Sequence, residues 1–163
     1  MRRPIAASEL SPRTSTIYPE PFASTTKGRA KRALGDQFGL DQFGVNHTTL
    51  APGSASALVH YHSCEDELVY VLSGTPTLET DEGKTLLRPG DVIGFKGGVS
   101  EGHRIINDSN APATILEIGT RRPDVDEVDY PEVDLRYGTN SDPQAGRDGV
   151  PVRIFTRKDR TPL

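Results

Sequence analysis

The sequence predicts an all-β domain whose strands roll into a jelly roll, and three observations carry that expectation. Thirteen Pro and sixteen Gly among 163 residues punctuate many short apolar runs, a composition of strands and turns. No long stretch repeats apolar residues at the helical period of about 3.6. Eight short segments of strand character succeed one another between Phe43 and Ile118, and that number and spacing suit two packed antiparallel sheets.

Taken in order, residues 1–38 carry Pro4, Pro12, Pro19 and Pro21 among Ser and Thr. This composition predicts an extended N-terminal arm, with one short helical turn over 28–34. No helix-turn-helix fits there, which weakens any reading as a DNA-binding regulator. The barrel is placed at 39–120, with strands over 43–50, 57–62, 67–72, 76–80, 84–87, 91–95, 103–107 and 113–118. Asp81-Glu82-Gly83 reads as a tight hairpin turn and Arg88-Pro89-Gly90-Asp91 as another. The strand over 68–72 is apolar on both faces. One face must line the barrel and the other meets a second sheet or a partner subunit, so a homodimer is expected.

From Arg121 a C-terminal segment, 121–163, packs on the barrel. It opens with an acidic stretch over 124–134 that lacks the mid-loop Gly and terminal Glu of a calcium loop, and therefore reads as solvated surface. A last strand is expected over 152–155, tying the tail to the barrel exterior.

Three of the four histidines, His60, His62 and His103, and one acid, Glu67, stand out from this framework. In a strand, His60 and His62 point to one face with Cα atoms roughly 6.5–7 Å apart. Imidazole nitrogens can span that gap and sit ~2.1 Å from one divalent cation. The polar turn Ser63-Cys64-Glu65-Asp66 leads into the next strand, which begins with Glu67 on the same side. His103, opening a later strand, brings a third nitrogen. His47, isolated in its strand, reads as a structural histidine, and Cys64, without a second thiol, as a small packing residue.

These residues resemble the first motif of the cupin superfamily: His60-x-His62, four residues, Glu67, six residues, Gly74. The second motif is matched by Gly90 and by His103-x-x-x-Asn107. Here Lys96 stands where Pro is usual, and four residues separate Gly98 from His103 where two are usual. The resemblance covers roughly residues 39 to 120. It implies a double-stranded β-helix, the cupin barrel, with His60, His62, Glu67 and His103 as metal ligands and Asn107 in a mainly structural role.

Composition bounds the function. A chain of this length buries roughly 70% of its unfolded surface around one core. Nineteen basic against 23 acidic residues give a net charge of −4, so no global attraction draws it to nucleic acid or to an anionic membrane. One cysteine suits a reducing interior, and neither a signal-peptide core nor a membrane-length apolar run is evident, so a cytoplasmic location is expected.

Three imidazoles and a carboxylate leave open positions on a six-coordinate ion, and this donor set suits iron(II), manganese(II), nickel(II), copper(II) or zinc(II). The expected function is a metal-dependent enzyme acting on a small polar, sugar-like or oxygenated substrate, by isomerisation or by oxygen-dependent oxidation. The alternative is a non-catalytic module that binds or senses a small ligand; a purely structural barrel is the weakest reading. Leu58, Val69, Val71 and Ile105 are expected to wall the cavity. Parity turns Tyr70 and Arg104 away from the ligands, and no second inward carboxylate or lysine is evident, so the general acid or base stays unassigned.

Overall fold

Side-chain alternation along three adjacent strands builds the inner wall of the molecule. The computed structural model describes residues 3–139 and 152–163. Its main sheet runs β1 (Arg29–Ala33), β2 (Phe43–Leu50), β9 (Ala113–Thr120), β4 (Glu67–Ser73) and β7 (Val92–Phe95), in that spatial order. Every neighbouring pair in it is antiparallel. Thr48 and Leu50 of β2, Ala113 and Ile115 of β9, and Val69 and Val71 of β4 alternate inward and are buried, as a pleat with one covered face requires.

A smaller sheet of β6 (Gly83–Leu86), β5 (Thr77–Thr80) and β8 (His103–Ile106) closes over that wall. Leu78, Leu87 and Ile105 meet Leu50, Val71, Ile115 and Phe95 in one core. Each fully buried aliphatic side chain contributes about 1.5–3 kcal/mol relative to exposure. A third sheet orders β12 (Arg153–Thr156), β11 (Leu135–Thr139), β10 (Val128–Tyr130) and β3 (Tyr61–His62). Leu58, Val128, Tyr130 and Leu135 form a second core there, covered by Tyr18 and Phe22 of the arm and by Phe155. The result is the expected all-β jelly roll. Among the described residues no helix is long and apolar enough to cross a membrane.

Four local expectations need correction. Residues 29–33 are strand rather than helical turn, because each residue from Arg29 to Ala33 has a partner on β2; a short helix, α1 (Leu34–Gln37), follows. The segment 57–62 holds a ladder only at Tyr61–His62. Before it the chain follows β8 through single bridges, Ala55 to Ile106 and His60 to His103, and the Ser56 hydroxyl accepts the Ile105 N–H at 3.0 Å in place of a ladder bond. The stretch 124–134 is not uniformly solvated, since Asp126, Val128 and Tyr130 are buried. Finally, β11 was not expected, and the last strand lies one residue later than the sequence suggested. Residues 140–151 of the C-terminal segment lie outside the described residues.

Candidate metal centre and its cavity

The hairpin from β3 to β4 and the start of β8 bring His60, His62, Glu67 and His103 together. Nε2 of His60, His62 and His103 lie 3.4, 3.5 and 3.0 Å from Oε2 of Glu67. Donor atoms of His60, His62 and Glu67 all fall within 4.8 Å of one another, and His103 joins them through Glu67. Each ring is held from behind at Nδ1: His60 by the Leu58 carbonyl at 2.9 Å, His62 by Asp126 at 2.7 Å and His103 by the Glu101 carbonyl at 3.3 Å. The ring of Phe95 stacks on His103 with centroids 3.5 Å apart. An Nδ1–H committed to an oxygen turns Nε2 toward Glu67, and once Nε2 gives up its own proton its lone pair is available to a metal. The donor set and its orientation therefore fit a divalent transition ion.

Electrostatics follow from this crowding. Burial pushes the Glu67 carboxyl up, but hydrogen bonds from His103 and His60 and the nearby charge on His60 and His62 hold it well below the carboxylate range. For His62, burial opposes the charged ring, yet the Asp126 hydrogen bond and the charges of Glu67 and Asp126 raise its pKa overall.

Asp126 is the residue the sequence did not single out. Its side chain is fully buried. One oxygen accepts the N–H groups of Cys64 at 3.1 Å and Glu65 at 3.2 Å, and the other accepts His62 and, at 3.2 Å, Arg153. It thus ties the turn after His62 to the ring of His62. The irregular loop before His103 is fixed by close backbone approach. A Cβ on Gly97 would lie 2.4 Å from the Cys64 carbonyl carbon, while Gly97 N–H donates to Asp66 and Gly98 N–H to the His62 carbonyl, both at 2.9 Å. Asn107 is structural: fully buried, it donates to the carbonyls of Leu50 and Ala111, each at 2.8 Å.

The cluster opens on a cavity of ≈ 300 Å³ between the main sheet and the third sheet. Sheet register explains the space. Glu67 pairs with Gly119 and Gly119 with Gly44, so two glycines line the inner face beside Glu67, and the Arg121 guanidinium lies over Gly44, 3.3 Å from where its Cβ would stand. Val69 and Ile105 line the cavity, whereas Leu58 and Val71 belong to the cores on either side. Tyr70 and Arg104 do point away, Arg104 pairing with Glu79 at 2.7 Å.

The expectation that no second carboxylate or lysine faces inward is overturned. Glu117 and Lys31 both line the cavity and pair at 2.8 Å, and Thr48 donates to Glu117 at 2.6 Å. Strand parity could have found Glu117, two residues beyond the inward Ile115. His47 sits on the opposite parity of β2 and does not reach the cluster. Its Nδ1 is buried without a partner.

A family model described as the cupin domain matches residues 46–119. A solved structure from Silicibacter pomeroyi, described as a sugar phosphate isomerase from a cupin superfamily, is 36% identical, with 99% of this chain and 96% of that chain covered and a TM-score of 0.88. A protein of Acidithiobacillus ferrooxidans, described as a candidate sugar phosphate isomerase, is 34% identical over 77% of this chain and 75% of its own, with a TM-score of 0.65. A Thermotoga maritima protein described as an expected oxalate decarboxylase superposes with a TM-score of 0.60 over 74% of this chain and 100% of its own; at 21% identity that likeness shows the fold alone. No curated protein matches the chain.

Proposed function

The chain belongs to the cupin superfamily, and from that premise we propose that it is a metal-dependent isomerase of a small, polar, sugar-like substrate. The convergence of three imidazole Nε2 atoms on one Glu67 oxygen, at the wall of a cavity of substrate size, carries this reading. His60, His62, Glu67 and His103 would hold iron, manganese, nickel, copper or zinc. When bound, such an ion supplies a Lewis acid that polarises a substrate carbonyl or hydroxyl. The descriptions of the two solved structures above 30% identity support isomerisation over oxygen-dependent oxidation.

The chain's own residues supply the remainder. Interconverting an aldehyde sugar and its ketone moves one proton from the carbon beside the carbonyl to the carbonyl carbon, and that same carbon's hydroxyl proton to the carbonyl oxygen. Glu117 is the group we assign to the carbon proton. It sits diagonally across the β4–β9 pair from Glu67, with Cα atoms about 7–8 Å apart, so a small sugar can touch both. Lys31 and Thr48 orient its carboxylate. Tyr18 and Tyr130, whose hydroxyls burial pushes up in pKa, remain neutral and shield the cavity from water.

Elemental analysis of untagged protein identifies the ion. The chain loaded with it is then incubated with aldose and ketose phosphates under air and under nitrogen, with products followed by NMR. The expected result is the same isomer under both gases, lost on chelation and slowed at least about 10²-fold in Glu117→Gln. Product under air alone would assign oxidation instead, and no turnover at full metal loading would assign a non-catalytic binding module.

A further inference from the structure

The end of the cavity away from Glu67 holds a buried cation without a carboxylate of its own. Arg29, at the start of β1, is only 8% exposed. Among the described residues its guanidinium makes one hydrogen bond, donated by Nη1 to the Ser56 carbonyl, and no carboxylate pairs with it. The carboxylate whose field reaches it, Glu117, is already committed to Lys31 and Thr48. A buried guanidinium that lacks a counter-charge is costly to keep. The cavity surface that Arg29 shares with the metal cluster is where a ligand would repay that cost.

Two further cations stand beside it. Arg13 of the N-terminal arm is pinned against β1 by reciprocal backbone hydrogen bonds with Lys31, at 2.8 and 3.0 Å. Arg13 lines the same cavity, and its guanidinium has no ion-pair partner among the described residues. Arg13, Arg29 and Lys31 against the single charge of Glu117 leave two positive charges uncovered. A phosphate monoester carries about −1.5 to −2 at neutral pH and would balance them.

We propose that Arg29, with Arg13 and Lys31, forms a phosphate subsite of the cavity, so that the N-terminal arm and β1 select a phosphorylated sugar. The proposal rests on the isomerase reading and deepens it. All three cations lie outside residues 46–119, the segment the cupin-domain model matches, so they distinguish this chain from a bare metal barrel. Arg29 supplies a planar fork for paired contacts to phosphate oxygens, and Arg13 closes the subsite from the arm. Burial also depresses the pKa of Arg29, which agrees with a site kept dry for a ligand.

The test is calorimetric titration of the full chain with inorganic phosphate, metal-free and metal-loaded, so that binding to the ion is separated from binding to the arginines. Saturable binding is expected in both forms, weaker at high salt, about tenfold weaker in Arg29→Gln and about threefold weaker in Arg13→Gln. Arg13 is exposed, so its variant reports even where loss of buried Arg29 impairs folding. Absence of saturable binding to the metal-free chain, or equal affinity in the folded variants, would overturn the subsite. Sugar-phosphate turnover with an unchanged KM in both variants would also overturn it while leaving the isomerase reading intact. Arginine-dependent phosphate binding without turnover of any sugar phosphate would do the reverse.

Discussion

Replacing Asp126 with Asn tests whether a buried carboxylate sets the tautomer of His62. The Asp126 oxygens accept from His62 Nδ1, from the backbone N–H groups of Cys64 and Glu65, and from Arg153. Asn keeps the shape but turns one acceptor into a donor. If its amide nitrogen faces His62, the ring must accept at Nδ1 and carry its proton on Nε2, the atom 3.5 Å from Glu67. A protonated Nε2 has no lone pair for a metal. The opposite amide orientation spares His62 but sets N–H against N–H at Cys64 and Glu65, leaving buried donors unpaired at about 1–3 kcal/mol. Loss of such an orienting partner lowers metal affinity by about 10–100-fold, or about 1.4–2.7 kcal/mol. Competition for zinc against a chromophoric chelator measures the affinity, and thermal melting shows that the variant is folded. Wild-type zinc affinity in a folded Asp126→Asn chain would refute the reasoning.

Acidity should separate the metal-bound and metal-free states. Because the pKa of His62 is raised above 6.5, the charged His62–Asp126 pair stabilises the metal-free fold fully below 6.5 and is lost as pH rises through the raised value. Metal binding needs Nε2 unprotonated, so affinity falls as pH drops through that same value. Equal affinities by calorimetry at about pH 7.5 and about pH 5.5 would reject histidine ligation. Glu67 has the opposite sign: its depressed pKa contributes stability above its ordinary value of 4.5, lost as pH falls through the folded value. Gly97→Ala forces a Cβ to 2.4 Å from backbone and should cost about 1–3 kcal/mol, read as a lower Tm. Gly94→Ala, whose Cβ meets only the Glu67 carbonyl at 3.6 Å, should change stability by about 0.5 kcal/mol or less. A second copy of the chain is the proposed cover for Leu68, Tyr70 and Val92, which are 38, 39 and 58% exposed on the outer face of β4 and β7. Sedimentation should then show a dimer that Leu68→Lys with Val92→Lys dissociates, and a wild-type monomer at micromolar concentration would count against it.

The strand pattern and the clustering of His60, His62 and Glu67 were legible because both rest on a two-residue period that the chain carries locally. His60, His62 and Glu67 share a face across one short turn, and no knowledge of distant strands is needed to see it. Glu117 was equally legible, on the parity of Ala113 and Ile115. β1 was not: Arg29-Ala-Lys31-Arg-Ala has no apolar alternation, because its inner face borders a polar cavity instead of a core. Nor was Asp126, which reads as one acid among many and lies 64 residues from the ring it holds. Which strands become neighbours depends on closing long loops to bury two separate cores. That choice belongs to the whole chain, so tertiary structure alone decided where the cavity lies, which cations enter it and what stands behind each histidine.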